Sequence, residues 1–263
     1  MPVDYQKAPS DQRQTVAIAP TSDATGLENV HEPTAAELNN TAGSGFVPAS
    51  QSISWNDWDF GTQASEVTNE PSLADAASYE EFGQRNYGGG VSFYMPRSYD
   101  DNSNLHSVIY DLTDTPGDLV DIAVRIDGDV ETDVPFEDGD FVSAYEVRFD
   151  SETNPFTPGE SKRRTVGFSQ AGEHAHYVVV GEHEITTVEP AGFAVGDTGR
   201  IRALQQGRDV TAYLNVSTSD GDVIDVHRGG FYEVIGEGEA TVTFEDPGTG
   251  DVATVAVTAG PTP

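Results

Sequence analysis

The chain has 263 residues, with 45 acids against 13 bases and a net charge of −32. Ten Tyr, twelve Phe and two Trp exclude a disordered chain, although the hydrophobic fraction is only 36%. The absence of cysteine excludes disulfides, thiol catalysis and cysteine metal sites, and so acidic a surface excludes ordinary nucleic-acid binding, whose affinity comes from Lys and Arg.

No apolar run approaches the roughly 20 residues that span a membrane, so no membrane insertion is expected. Met1 to Gln14 is polar and has no apolar core for a secretory leader, so the protein is expected to be made and used without export. Only Lys7 and Lys162 are lysines; the other eleven bases are arginine. Scarce lysine with abundant Asp resembles proteins of extreme halophiles, where molar salt screens charge to about 3 Å.

Residues 1–50 read as an extended N-terminal arm rich in Pro, Ser, Thr, Ala and Asn, expected to lie across a neighbouring subunit. Within it, Pro33-Thr34-Ala35-Ala36-Glu37-Leu38 has the makings of one helical turn capped by Thr34. From Ser52 the pattern becomes sheet-like, with Ile53, Trp55, Trp58 and Phe60. Leu73 to Phe82 reads as loop or helix. Asn86-Tyr87-Gly88-Gly89-Gly90 leads into a strand carrying Val91, Phe93 and Met95, which Pro96 ends. Leu105, Val108, Ile109 and Leu112 then mark one face of a two-turn helix.

Asp111 to Asp140 holds eleven acids against one base, Arg125. Val120, Ile122, Val124 and Ile126 nevertheless alternate with Asp121, Ala123 and Arg125, the period of a half-buried strand. Phe141 to Phe149 alternates in the same way. Thr153 to Arg164 is a loop with the cations Lys162, Arg163 and Arg164, and two further strands begin at Val166 and Ala175. Strands around a single helix predict a mainly β sandwich or barrel for 51–184. From 185 to 263, short evenly spaced strands with Gly and Asp turns predict a second β-sandwich of immunoglobulin type.

No catalytic set emerges, and no enzyme activity or cofactor is expected. His174 and His176 share a strand face but fall short of the three ligands of a metal site, so they are read as histidines at strand ends. Asp127 to Asp138 lacks the sixth-position glycine and twelfth-position Glu of a calcium loop. Gly88-Gly89-Gly90 is followed by a strand and no lysine, so it is no phosphate cradle.

Residues 185–263 resemble the bacterial immunoglobulin-like group 2 domain. The resemblance rests on Val195-Gly196-Asp197-Thr198, Asp209-Val210-Thr211, Ser217-Thr218-Ser219-Asp220 and above all Val234-Ile235-Gly236-Glu237-Gly238-Glu239-Ala240-Thr241-Val242-Thr243. Val216 stands where that family usually has Trp, a smaller core anchor. The order of features before it resembles the major tail tube protein of long-tailed viruses: an arm with a proline-to-Glu37-Leu38 segment, a β-sandwich with one helix, Asn86 to Phe93 leading into a central strand, and the loop Phe156-Thr157-Pro158-Gly159-Glu160.

This resemblance implies a structural virion protein, found in the tail and made in the host cytoplasm, whose hexameric rings stack into a tube. It implies contacts with tape-measure, terminator and baseplate proteins, and passage of double-stranded DNA without specific binding. Asp121, Asp127, Asp129, Glu131 and Asp133 are the expected lumen-facing acids, and Lys162, Arg163 and Arg164 the expected inter-subunit cations. The immunoglobulin-like domain would stand outside, contacting host surface glycans. With the halophile-like charge, the virus would infect a haloarchaeon. The alternative is a cell-surface or virion adhesion protein carrying an immunoglobulin-like module.

Overall fold

The computed structural model describes residues 14–22, 25–63, 67–68, 81–82, 87–98, 104–127, 130–132, 134–155, 158–190 and 192–261. Its first nine strands are β1 (Val16–Pro20), β2 (Val47–Pro48), β3 (Ile53–Thr62), β4 (Val67–Thr68), β5 (Glu81–Phe82), β6 (Tyr87–Tyr94), β7 (Leu119–Arg125), β8 (Phe141–Thr153) and β9 (Arg163–Val179). β4 and β5 pair with each other, and the remaining seven form one antiparallel sheet in the order β2-β1-β7-β8-β9-β6-β3. The fold is mainly β, with two short helices, α1 (Ala35–Leu38) and α2 (Leu105–Leu112).

Both faces of the central strands are buried. On one face Ile18, Val120, Ile122, Tyr145, Val147, Phe149, Val166 and Phe168 form a core on which α2 sets Ile109, flanked by Leu105 and Leu112. Asn104 caps α2 by accepting from the His106 amide. On the other face Ala17, Ala19, Ala123 and Val142 lie against Leu38, Phe46, Phe136 and Val180. Small residues at these sheet positions let the covering segments approach closely.

For the described residues from Gln14 on, that second face corrects the reading of 1–50 as an arm reaching elsewhere; residues 1–13 lie outside the described residues. Val16 to Ala19 are buried in the sheet of their own subunit, and residues 25–46 wrap the face beyond them. The physical reason is that β7 has a free edge and a second face, and β1 with its following segment satisfies both. A four-residue helix is too short to stand alone. α1 persists through the reciprocal Thr34–Glu37 capping box, the burial of Leu38, and Asn39, whose side chain exchanges two hydrogen bonds with the Phe136 backbone (2.7 and 2.9 Å).

β9 also differs from expectation. One bent strand of 17 residues replaces the two predicted, and its register against β8 slips at three irregularities. The glycine run before Val91 serves close approach between strands: a Cβ on Gly89, at φ +120, would lie 1.7 Å from the Asp59 carbonyl oxygen.

Ten further strands follow: β10 (Thr186–Val188), β11 (Phe193–Ala194), β12 (Thr198–Arg200), β13 (Arg202–Gln205), β14 (Arg208–Asp209), β15 (Asn215–Thr218), β16 (Ile224–His227), β17 (Phe231–Val234), β18 (Gly238–Glu245) and β19 (Val252–Gly260). They form sheets β10-β13-β14, β11-β19-β18-β15 and β12-β17-β16 around one core that includes Ile201, Ile224, Val242, Phe244 and Val255. Residues 211–213 form a turn before β15, and the Thr211 hydroxyl bonds Ala203 and Asp209. Phe141 and Val179 from β8 and β9 join this core, so the two halves pack continuously.

The excursion 126–140 between β7 and β8 is tied down by Arg125, whose side chain is fully buried. Its Nε donates to Asp140 Oδ2 (2.9 Å), Nη1 to the Val134 carbonyl (3.0 Å) and the Thr15 hydroxyl (3.3 Å), and Nη2 to the Pro135 carbonyl. The guanidinium also lies 4.5 Å from the centre of the Phe136 ring. Removing one partner of a buried ion pair strands the other charge. Arg125→Ala should therefore lower the unfolding free energy by about 3–5 kcal/mol in chemical denaturation. A loss under about 1 kcal/mol, the range of an exposed pair, would contradict this role.

Candidate functional site

The acids expected to face open solvent divide sharply once folded. Asp121 is 1% exposed and lies on the face of β7 that Thr21, Gly26 and Leu27 cover. Its Oδ1 accepts from the Thr21 hydroxyl and its Oδ2 from the Leu27 amide, both at 2.8 Å. Gly26, at φ +99, passes so close that a Cβ there would meet Asp121 Oδ2 at 2.3 Å. Burial pushes the Asp121 carboxyl above the ordinary carboxylate range, with the Leu27 and Thr21 hydrogen bonds opposing the shift and Glu146 and Glu37 adding to it. Its place among lumen-facing residues is thereby corrected: alternation put it opposite the apolar residues, and the chain's own N-terminal segment covers that side.

Asp127 is also engaged. It accepts from the Phe141 amide (2.7 Å) and from both terminal nitrogens of Arg208 (3.0 and 3.3 Å), and so links the two halves of the molecule. Stacked Tyr177 and Tyr213, 5.1 Å apart and 11° from parallel, lie at the same junction. Glu131 is exposed. Asp129 and Asp133 lie outside the described residues.

The cationic loop is corrected in part. Arg164 is 2% exposed, with Nη1 on Glu152 (3.1 Å), Nη2 on the Thr113 hydroxyl and the guanidinium 4.1 Å from the Tyr110 ring centre. It belongs to β9 and anchors α2 to the sheet, so it cannot reach a neighbour. Arg163 is half-buried, donating to Glu160 (2.7 Å) and Ser54 (3.1 Å), whereas Lys162 is exposed. His174 and His176 do share a face of β9, with ring centres 5.5 Å apart. His174 packs on Tyr87, and His176 Nδ1 pairs with the Ser143 and Tyr145 hydroxyls.

Sequence reading missed a cleft of about 1290 Å³ between the covering segment and the bent part of β8 and β9, lined by Glu28, Glu32, Glu37, Asp121, Glu146 and Glu173. Its carboxylates come from four separate segments, and no local motif announces it. Next to the cleft residues Glu146 and Glu173, the Tyr87 hydroxyl donates to the Gly172 carbonyl (2.6 Å) with the Glu146 carbonyl at 2.9 Å, and burial raises its pKa to about 12. Among the described residues no group of three or more His, Asp or Glu is placed to hold a metal ion, and no helix is long and apolar enough to cross a membrane.

These features bind the subunit to itself and leave an acidic surface. The family model described as phage tail tube protein matches residues 1–183, which include the whole seven-stranded sheet. No curated protein matches the chain.

Asp121→Ala should cost about 1–3 kcal/mol, since it leaves the Leu27 amide without its partner. Asp121→Asn keeps an acceptor for that amide and should remain within about 1 kcal/mol of wild type near neutrality. Because the folded-state pKa is raised, ionisation of Asp121 costs stability above that pKa. The cost shrinks as pH falls through it and vanishes below the ordinary value of 3.8. Wild type should therefore gain on Asp121→Asn in denaturant melts as pH falls across this window. A steady loss to the Asn variant on acidification would contradict the assignment.

Proposed function

The chain belongs to the phage tail tube protein family, and from that premise we propose that its copies close into rings, six per ring, that stack into a tube with an acidic lumen. As a member it is a structural component of the virion tail that assembles with itself and with other tail proteins. The observation that carries the proposal is the asymmetry of the sheet. One edge is the two-residue β2, whereas the other is the ten-residue β3, which pairs only with β6 among the described residues. A long open edge is a template for pairing with a second chain. A contact between two different surfaces closes into a ring where its rotation permits.

The charge of the wall then fits its task. Duplex DNA carries one negative charge per about 1.7 Å of axis, so a lumen with a carboxylate surplus holds it nowhere and lets it slide. Glu131 remains a proposed lumen acid, while Asp121 and Asp127 serve the interior of the subunit. Residues 185–263 are proposed as an immunoglobulin-like domain displayed outside the tube, where host glycans are its candidate ligands. The near absence of lysine supports a halophilic, haloarchaeal setting. The role is mechanical, with no catalytic step.

Negative-stain microscopy of the purified full chain over a range of salt should show rings of uniform diameter and tubes. The assembled fraction should not retard duplex DNA on a gel. Monodisperse monomers at every concentration and salt would overturn the tube and favour an adhesion protein. DNA retained by the tubes would overturn the acidic lumen.

A further inference from the structure

At the end of the sheet where β6 stops and β9 begins lies a cleft of about 600 Å³. Arg97, His106 and Lys162 line it together with Gln51, Tyr94 and Ser161, and no carboxylate does so among the described residues. The chain as a whole has 45 acids and 13 bases, so the cleft differs in sign from the surface around it. The cleft is also held in shape. The Met95 amide donates to the Lys162 carbonyl (3.0 Å), which sets Lys162 beside the Arg97 segment. His106, in the first turn of α2, is fixed by Ser52 (2.7 Å) and packs edge-on against Tyr94. Among the described residues, Glu160 is engaged by Arg163 and Glu152 by Arg164. Arg97 and Lys162 make no ion pair among the described residues.

The opposite end of the same sheet carries the complementary surface. There β7 ends and β8 begins, and the excursion between them exposes Glu137 and Asp138. The turn that presents them is rigid. The Gly139 amide donates to the Val180 carbonyl (2.8 Å), the Asp140 amide to the Glu137 carbonyl (3.1 Å), and Arg125 grips Asp140 from beneath. Cations lie at one end, beside β9 and β6, and fixed carboxylates at the other, beside β7 and β8, so copies stacked along the strands with a lateral offset of two strands would bring opposite charges together.

We propose that the Arg97–His106–Lys162 cleft of one copy receives the Glu137–Asp138 turn of the copy stacked on it, so that ring stacking is a head-to-tail contact with one polarity. The inference rests on the tube reading above and adds the residues that join ring to ring. A head-to-tail contact that does not close on itself propagates as a filament. A cleft suits high salt, where screening to about 3 Å removes distant attraction and leaves groups in direct contact. The earlier expectation for Lys162, Arg163 and Arg164 is thereby revised: Lys162 keeps its role, and Arg97 and His106 replace the two arginines held within the subunit.

The test uses the full chain in three forms: Arg97→Glu with Lys162→Glu, Glu137→Lys with Asp138→Lys, and all four together. All four positions stand at the surface or in the open cleft, and thermal melts confirm folding. Each double variant should keep its rings but lose at least tenfold in sedimentable tube, and the fourfold variant should recover it. Zero-length carbodiimide coupling of wild-type tubes should join Lys162 to Glu137 or Asp138 of another copy. Double variants that polymerise like wild type, or a fourfold variant no better than either double, would overturn the contact while leaving the tube intact. Wild-type protein that forms neither rings nor tubes would overturn both.

Discussion

The buried guanidinium of Arg125 is the constraint on which the rest of the structure depends. It is the one base in a thirty-residue stretch with eleven acids, and its side chain has no solvent exposure. Taking such a charge out of water costs several kcal/mol unless its donors are satisfied. Here they are satisfied by Asp140, two consecutive carbonyls, a hydroxyl at the start of β1 and an aromatic face. One side chain thereby closes the 126–140 excursion, sets where β8 begins and holds the first described residues. Asp121, on the same face of β7, does the matching job for Thr21 and Leu27. A strand that reads as half-polar is interior on both sides because its polar half reaches for backbone.

That arrangement changes what the acidity means. Several conspicuous carboxylates of the 111–140 stretch are spent inside the subunit, on an arginine, on amides or on the junction with residues 185–263. The surplus that reaches solvent comes from the other acids of that stretch, such as Asp111, Asp114, Asp118, Glu131, Glu137 and Asp138, and from the cleft between the covering segment and the bent strands. In the proposed tube, a wall of such subunits would repel a polyanion through its overall field. The few unengaged cations gain significance for the same reason, because each has many carboxylates to meet on the next copy.

Local periodicity revealed much of the fold. The alternation at 119–125 and 141–149, the helix of Leu105, Ile109 and Leu112, and the Thr34–Glu37 cap are all present. What it could not reveal was which face of β7 meets water, since alternation states only that alternate residues share a side. The cover comes from residues about a hundred positions away, such as Thr21 and Leu27 on Asp121. Val16 to Ala19 fall within the segment read as an arm, yet they lie in a strand between β2 and β7 and are buried. Signals were available in hindsight: a lone arginine among acids, and small Ala residues at 17, 19 and 123. Arg164 shows the same limit, since a run of three bases looks like one patch although a strand turns successive side chains to opposite faces.

A helical reconstruction of assembled tubes at side-chain resolution is the most direct measurement. Asp121 should lie beneath the segment of Thr21, Gly26 and Leu27, with Leu27 and Thr21 as its partners, and carboxylates from other segments should line the channel. A map in which that segment is lifted away and Asp121 opens onto the channel would contradict the central claim that this face is sealed by the subunit itself.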